Sequence, residues 1–226
     1  MEVGKQTVAP EDLWLVIPTS TRHKFLSDIV KNSLIPEKQI VFVRTSPGEI
    51  IGNVHNLFVK SKKINIQKWW NLGISFAENR GAKFVAVLND DVWIAPGSLQ
   101  TMAHEALVQK VPLVFPSPHT GQLAGYCWLL NLDFKVRPDN RFKWWYGDND
   151  LQMQAQLINK YIYVSVEVTH LESGGLTSEN PLLQKFAEVD HYRFINKWGN
   201  KQQRREVRLW RYHDIRNRIK TALLKT

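Results

Sequence analysis

KFVAVLNDDVWIAP, Lys83–Pro96, sets two adjacent carboxylates between two apolar runs. Phe84–Leu88 is apolar without a break, the pattern of a parallel strand covered on both faces. Asp90 and Asp91 fall where that strand should end. Neighbouring charges there repel one another unless solvent, hydrogen bonds or a cation compensates them, and a divalent ion bound through oxygen is one efficient solution that could in turn hold a diphosphate. The plainer reading is a turn that caps the next element.

Upstream, LWLVIPT (Leu13–Thr19) reads as a buried strand, HKFLSDIVKNSL (His23–Leu34) as a helix, QIVFVRT (Gln39–Thr45) as a second strand and NLFVK (Asn56–Lys60) as a third. QKWWNLGISFAENRG (Gln67–Gly81) is a helix with a glycine stop. Downstream, a helix runs from Gly97 with Ser98 as its cap, PLVFPS (Pro112–Ser117) is a strand, and YCWLLNLDFKV forms one or two more. LQMQAQLINKY is a helix and IYVSVEVTH (Ile162–His170) a last strand. Strands alternating with helices give an α/β class, a three-layer sandwich around a mostly parallel sheet. Ligands bind beyond the carboxyl ends of such strands, where Thr19, Thr45 and Asp90 fall. Neither the dinucleotide-binding glycine pattern nor the phosphate-loop pattern occurs.

The chain of 226 residues is 43% hydrophobic and 23% charged, which excludes global disorder and leaves room for a sizeable core. Residues 1–200 read as one catalytic domain and 201–226 as a basic helical tail. Cys127 is the only cysteine, so neither an intrachain disulfide nor a multi-cysteine metal site is available; it sits in an apolar run suited to burial. No apolar run is long enough to span a bilayer, and MEVGKQTVAPED lacks the basic start and apolar centre of a signal peptide, so the expected location is cytoplasmic. The formal charge of +9, much of it between Lys201 and Lys220, points to an anionic partner without naming it.

Three further groups carry chemistry. GDND places Asp148 and Asp150 at a loop–helix boundary, where one could cap the helix or Asp148 could take a proton from a bound hydroxyl. His170 ends the last strand, and imidazole suits Mn²⁺ or a similar ion in a mixed nitrogen–oxygen site. Thr19, Arg22 and Thr45 are candidates for a nucleotide pocket. Trp144, Trp145 and Tyr146 could stack on a sugar or simply pack the site closed.

Read in order, LWLVIPTSTR, then WWNLGISFAENRGAKFVAVLNDDVWIAPGSL, then YGDNDL and VEVTH resemble the GT-A glycosyltransferases of the family 2-like group, over about Leu13–Gly199. The resemblance implies a D-x-D segment at Asn89-Asp90-Asp91, with Asp91 and His170 holding Mn²⁺ or Mg²⁺ and Asp90 near the nucleotide. It implies Asp148 as the base of an inverting sugar transfer from a nucleoside diphosphate sugar to a glycan, lipid-linked or other hydroxyl-bearing acceptor. Two departures stand out. Asn89 replaces the first aspartate of the triplet and brings no charge, and Gly147 replaces a glutamate usual before the base.

Two rival readings remain open: a nucleotidyltransferase, which also needs metal-bound phosphates, and a noncatalytic nucleic-acid binder using the arginines of RREVRLWRYHDIRNRIK, which no known nucleic-acid motif accompanies. The same tail interleaves Leu209, Trp210, Ile215 and Ile219 with its cations, which would suit peripheral contact with an anionic membrane.

Overall fold

The computed structural model describes residues 7–20, 24–47, 50–60, 63–117, 125–171 and 180–209. Strand β1 (Leu13–Thr19) lies at the centre of a seven-stranded sheet with β2 (Ile40–Arg44) on one side and β4 (Phe84–Leu88) on the other. β3 (His55–Phe58) forms one edge; β7 (Cys127–Asn131), β6 (Leu113–Pro116) and β8 (Tyr161–Val164) complete the order β3-β2-β1-β4-β7-β6-β8. Only β7 runs antiparallel to its neighbours, so the central sheet is mostly parallel.

Both faces are covered, which is why the central strands are apolar up to their carboxyl ends. Leu15, Ile17, Phe42 and Ala86 point to the layer containing α1 (Leu26–Ser33) and α3 (Ser98–Val108). Trp14, Val16, Val41 and Val85 point the other way, to α2 (Ile66–Glu78) and α4 (Gly147–Ile158). The result is the expected three-layer sandwich. Chain direction reverses its order at β1: the connection from β1 leads to β2 on one side, whereas β4 lies on the other, and such a switch point opens a crevice at the carboxyl ends.

Three local expectations need correction. Ile162–His170 is not one strand. After β8 the chain turns at Val166, whose N–H reaches the Val164 carbonyl at 2.9 Å, and β9 (Val168–His170) leaves the main sheet to pair antiparallel with β5 (Val92–Ile94). A period-two pattern cannot report such a break. Ser98 is not the cap of α3; left-handed Gly97 (φ 86°) holds that position and Ser98 is the first helical residue. Helix α4 starts four residues before LQMQ, so Asp148 and Asp150 lie in its first turn rather than capping it. Their charges suit the positive end of the helix dipole.

PLLQKFAEVDHYRFINKW forms a long helix, α5 (Pro181–Trp198), begun by Asn180, whose side chain accepts from the Leu182 and Leu183 amides, and by Pro181 in the first turn. Past Gly199, residues 201–209 are again helical; the rest of the basic tail lies outside the described residues. No helix among the described residues is long and apolar enough to cross a membrane. Cys127 is fully buried in β7, and that burial pushes its thiol up to about 12, which leaves it inert.

Candidate functional site

At the switch point the ends of β1 and β4 touch. The Thr19 hydroxyl donates to Asp90 Oδ2 at 2.8 Å, and the Thr45 amide donates to the Thr19 carbonyl at 3.2 Å. Thr19 is buried against Asp90 and half-buried Thr45 stands beside Thr19; Arg22 lies outside the described residues. Arg44, the register partner of Thr19, was passed over because its strand reads as uniformly buried. It is a fully buried cation, its Nε bonded to Asn56 Oδ1 and its guanidinium 5.2 Å from the Phe42 ring.

Asp91 and His170 are 79 residues apart in sequence and meet because β5 pairs with β9. Val92 lies opposite His170, the Leu171 amide donates to the Asp91 carbonyl at 2.8 Å, and His170 Nε2 is 3.0 Å from Asp91 Oδ1. Tyr126 stacks on the imidazole, 4.9 Å between centroids and 11° between planes, which fixes the ring's plane. Asp91 is only 6% exposed, so its charge requires a partner.

The donor set fits a divalent cation. A carboxylate and an imidazole suit Mn²⁺ or a similar ion, and Asp91 and His170, here in hydrogen-bond contact at 3.0 Å, are the residues that would hold it. Among the described residues no group of three His, Cys, Asp or Glu converges, so two protein donors would leave the remaining positions to phosphate oxygens and water.

Asp148 projects from the first turn of α4. Burial raises its pKa, opposed by hydrogen bonds from the Asn149 amide and its own. A carboxylate shifted this way is a better base near neutral pH. The surrounding backbone is shaped to it: a Cβ on Gly125 would lie 2.3 Å from Asp148 Oδ2. Next to it, a Cβ on Gly147 would sit 1.9 Å from the Gln67 amide. Gln67, fully buried at the start of α2, therefore fills the space a side chain at 147 would take, and that accounts for the glycine where a glutamate was expected. The Gln67 amide and the Trp70 and Trp128 indole nitrogens are buried there without hydrogen-bond partners among the described residues.

Helix α5 holds this loop. Fully buried Asp190 accepts from the amides of Lys143, Trp144 and Trp145 through Oδ2, at 2.8, 2.9 and 3.1 Å, while Arg193 donates to its Oδ1 at 2.8 Å. Lys197 bridges Asp139 and Asp150 at 2.9 and 2.6 Å, and the Trp198 indole donates to Asp150 Oδ1 at 2.7 Å. Burial works against the Asp139 charge, yet hydrogen bonds from Arg141 and Lys197 outweigh it and hold the carboxyl well below its ordinary range. The loop's aromatics are packed: Trp144 meets Trp69 edge-on, Tyr146 contacts His191 and Phe194, and the Trp145 indole donates to the Leu183 carbonyl at 3.0 Å. Sequence reasoning missed Asp190 and Gln67. The Asn-Pro start of α5 was a legible signal for the helix, but nothing local marks which residue it turns inward.

No family model and no curated protein sequence matches the chain. Solved structures do. A mannosyltransferase from Pyrobaculum calidifontis, in complex with GDP-Man and Mn²⁺, superimposes with a TM-score of 0.60 at 10% identity, over 87% of this chain and 67% of that one. S. aureus TarS 1–349 in complex with UDP-GlcNAc gives 0.54 at 12% identity, over 82% of this chain and 67% of that one. The chain spans 58% of TarS 1–349 in another structure and 43% of the longer TarS. At such identities the likeness concerns architecture: the chain has the GT-A glycosyltransferase fold.

Proposed function

We propose that the protein transfers a sugar from a nucleoside diphosphate sugar to an acceptor hydroxyl with inversion at the anomeric carbon. The observation that carries this reading is the convergence of Asp91 and His170 beside the Thr19–Asp90 contact at the switch point. Structures of the same fold have been solved with GDP-Man and Mn²⁺ and with UDP-GlcNAc, which supports a nucleotide-sugar donor.

Asp90, positioned by Thr19, orients the nucleoside, with Thr45 and Arg22 as further pocket residues. Asp91 and His170 hold Mn²⁺ or Mg²⁺, which when bound neutralises charge building on the departing diphosphate. Asn89 adds no charge to this set. Asp148 accepts the acceptor's hydroxyl proton as that oxygen forms its bond to the anomeric carbon. The bond from that carbon to the diphosphate oxygen breaks on the opposite face, its electron pair leaving with the nucleoside diphosphate. The raised pKa of Asp148 favours this proton transfer near neutral pH. The acceptor is a glycan, a lipid-linked molecule or another hydroxyl-bearing group, met in the cytoplasm or at the inner face of a membrane.

Product analysis tests the reaction. Incubation with labelled UDP- and GDP-sugars and Mn²⁺ should release nucleoside diphosphate in step with glycoside, or with free sugar when water replaces the acceptor. Release of pyrophosphate with nucleotidyl transfer instead would sink the proposal in favour of a nucleotidyltransferase.

A further inference from the structure

Past Gly199 the chain enters helix 201–209, in which every residue except half-buried Val207 is exposed. Its first turn is anchored: the Asn200 side chain accepts from the Gln203 amide at 2.9 Å, and Arg204 Nε donates to the Gly199 carbonyl at 2.7 Å. Lys201, Arg204, Arg205 and Arg208 follow the i, i+3, i+4, i+7 spacing and so form one face of the helix. Gln202, Gln203 and Glu206 fall on the other.

These cations lack the counter-charges found elsewhere in the protein. Arg137 is matched by Glu78, Arg193 by Asp190, and Lys197 by Asp139 and Asp150. Among the described residues no carboxylate pairs with Lys201, Arg205 or Arg208. Glu206, the one acid of the helix, instead accepts from the Gln202 amide at 2.9 Å on the opposite face. Lys201 with Arg205, and Arg204 with Arg208, are like charges four residues apart, an arrangement that weakens a helix until something anionic lies along it. Full exposure argues against a pocket for a small anion and suits contact with an extended surface.

Nucleic acid and an anionic membrane are both extended polyanions, and the apolar residues choose between them. Leu209, 52% exposed, opens a run in which Trp210, Ile215, Ile219, Leu223 and Leu224 are interleaved with Arg211, Arg216, Arg218, Lys220 and Lys225. A phosphate backbone would engage the cations and leave the apolar groups in water. The boundary between lipid headgroups and acyl chains takes both. We infer that helix 201–209 docks the protein on an anionic lipid surface with its row of cations facing the headgroups. This rests on charge and exposure and not on the transfer reading.

The test is co-sedimentation of the full chain with vesicles of phosphatidylcholine, alone and mixed with phosphatidylglycerol. The native protein should be retained by the mixed vesicles only. Each Lys or Arg beside an anionic surface strengthens binding about fivefold. A Lys201→Gln, Arg205→Gln, Arg208→Gln variant should therefore bind the mixed vesicles at least tenfold more weakly, while melting as the native protein does and binding UDP with Mn²⁺ as before. A Lys31→Gln, Lys110→Gln, Lys160→Gln variant removes the same charge from other exposed positions and should keep most of the vesicle binding. Equal losses in the two variants would overturn the inference by assigning the binding to the overall charge. So would undiminished binding by the first variant, or native protein that ignores both kinds of vesicle. Failure on vesicles together with a gel shift of random-sequence duplex DNA, lost in the first variant, would assign the helix to nucleic acid instead. Vesicle binding without any UDP or GDP binding would keep the docking face and remove the transfer reading.

Discussion

The two halves of the candidate site are held by different physics. On the proposed donor side Thr19, Asp90, Asp91 and His170 stand at strand ends, and their positions follow from backbone ladders: β1 beside β4 at the switch point, β5 against β9. On the other side Asp148 sits at the start of a helix, behind a loop whose backbone is gripped from a distance by the side chains of α5. Ladders spread their cost over many bonds. The grip on the loop is concentrated in Asp190, Asp150 and Lys197, so single substitutions should disturb it far more.

The largest effect is expected at Asp148, the proposed base. Asp148→Asn should lower kcat by about 10²- to 10⁴-fold with donor binding retained. Because burial raises the Asp148 pKa, its neutral form is favoured in the folded state. Its ionisation therefore opposes folding once the pH exceeds the unfolded-state value, and stability is lost as pH rises through the folded-state value. Asp148→Asn should accordingly be more stable than the native protein at neutral pH, in urea melts, with no advantage well below the ordinary aspartate range. The same shift sets the activity profile: kcat/KM should fall on the acid side at a pH above that of an ordinary aspartate, and a limb at or below pH 4 would show that Asp148 is not the base.

Asp190→Ala tests the grip. Removing a fully buried carboxylate leaves three amides and Arg193 without their acceptor, at a cost of about 3–5 kcal/mol read from denaturant midpoints. The contrast between the halves predicts a loss of kcat with UDP affinity little changed in the folded fraction. Equal losses of both would mean that the halves are not separable. On the donor side, His170→Ala should weaken Mn²⁺-dependent nucleotide binding by about 10- to 100-fold. Thr19→Val, which removes one hydrogen bond to Asp90, should cost about 1 kcal/mol of donor affinity and leave the pH profile in place.

The same contrast explains what the sequence could reveal. Thr19, Asp90 and Asp91 were legible because an unbroken apolar strand announces its own end. His170 was found at a strand end, but its meeting with Asp91 depends on the turn at Val166, which no alternation pattern records. Asp148 was proposed from its loop–helix position and from the resemblance rather than from periodicity, and its helix was placed too late because GDND reads as a turn. Asp190 and Gln67 were invisible for a physical reason: an inward-facing polar residue on a helix looks like any exposed one until the partner surface is known.

The central claim is a metal-assisted nucleotide-sugar site at the β1–β4 crevice, and calorimetry tests it most directly: titration of UDP, GDP, CDP and TDP, with and without Mn²⁺, into the native protein and Asp91→Ala. Selective binding that requires Mn²⁺ and is lost in Asp91→Ala is the predicted result. Failure of the folded native protein to bind any of the four nucleotides or their sugar-linked forms, with Mn²⁺ present, would contradict it.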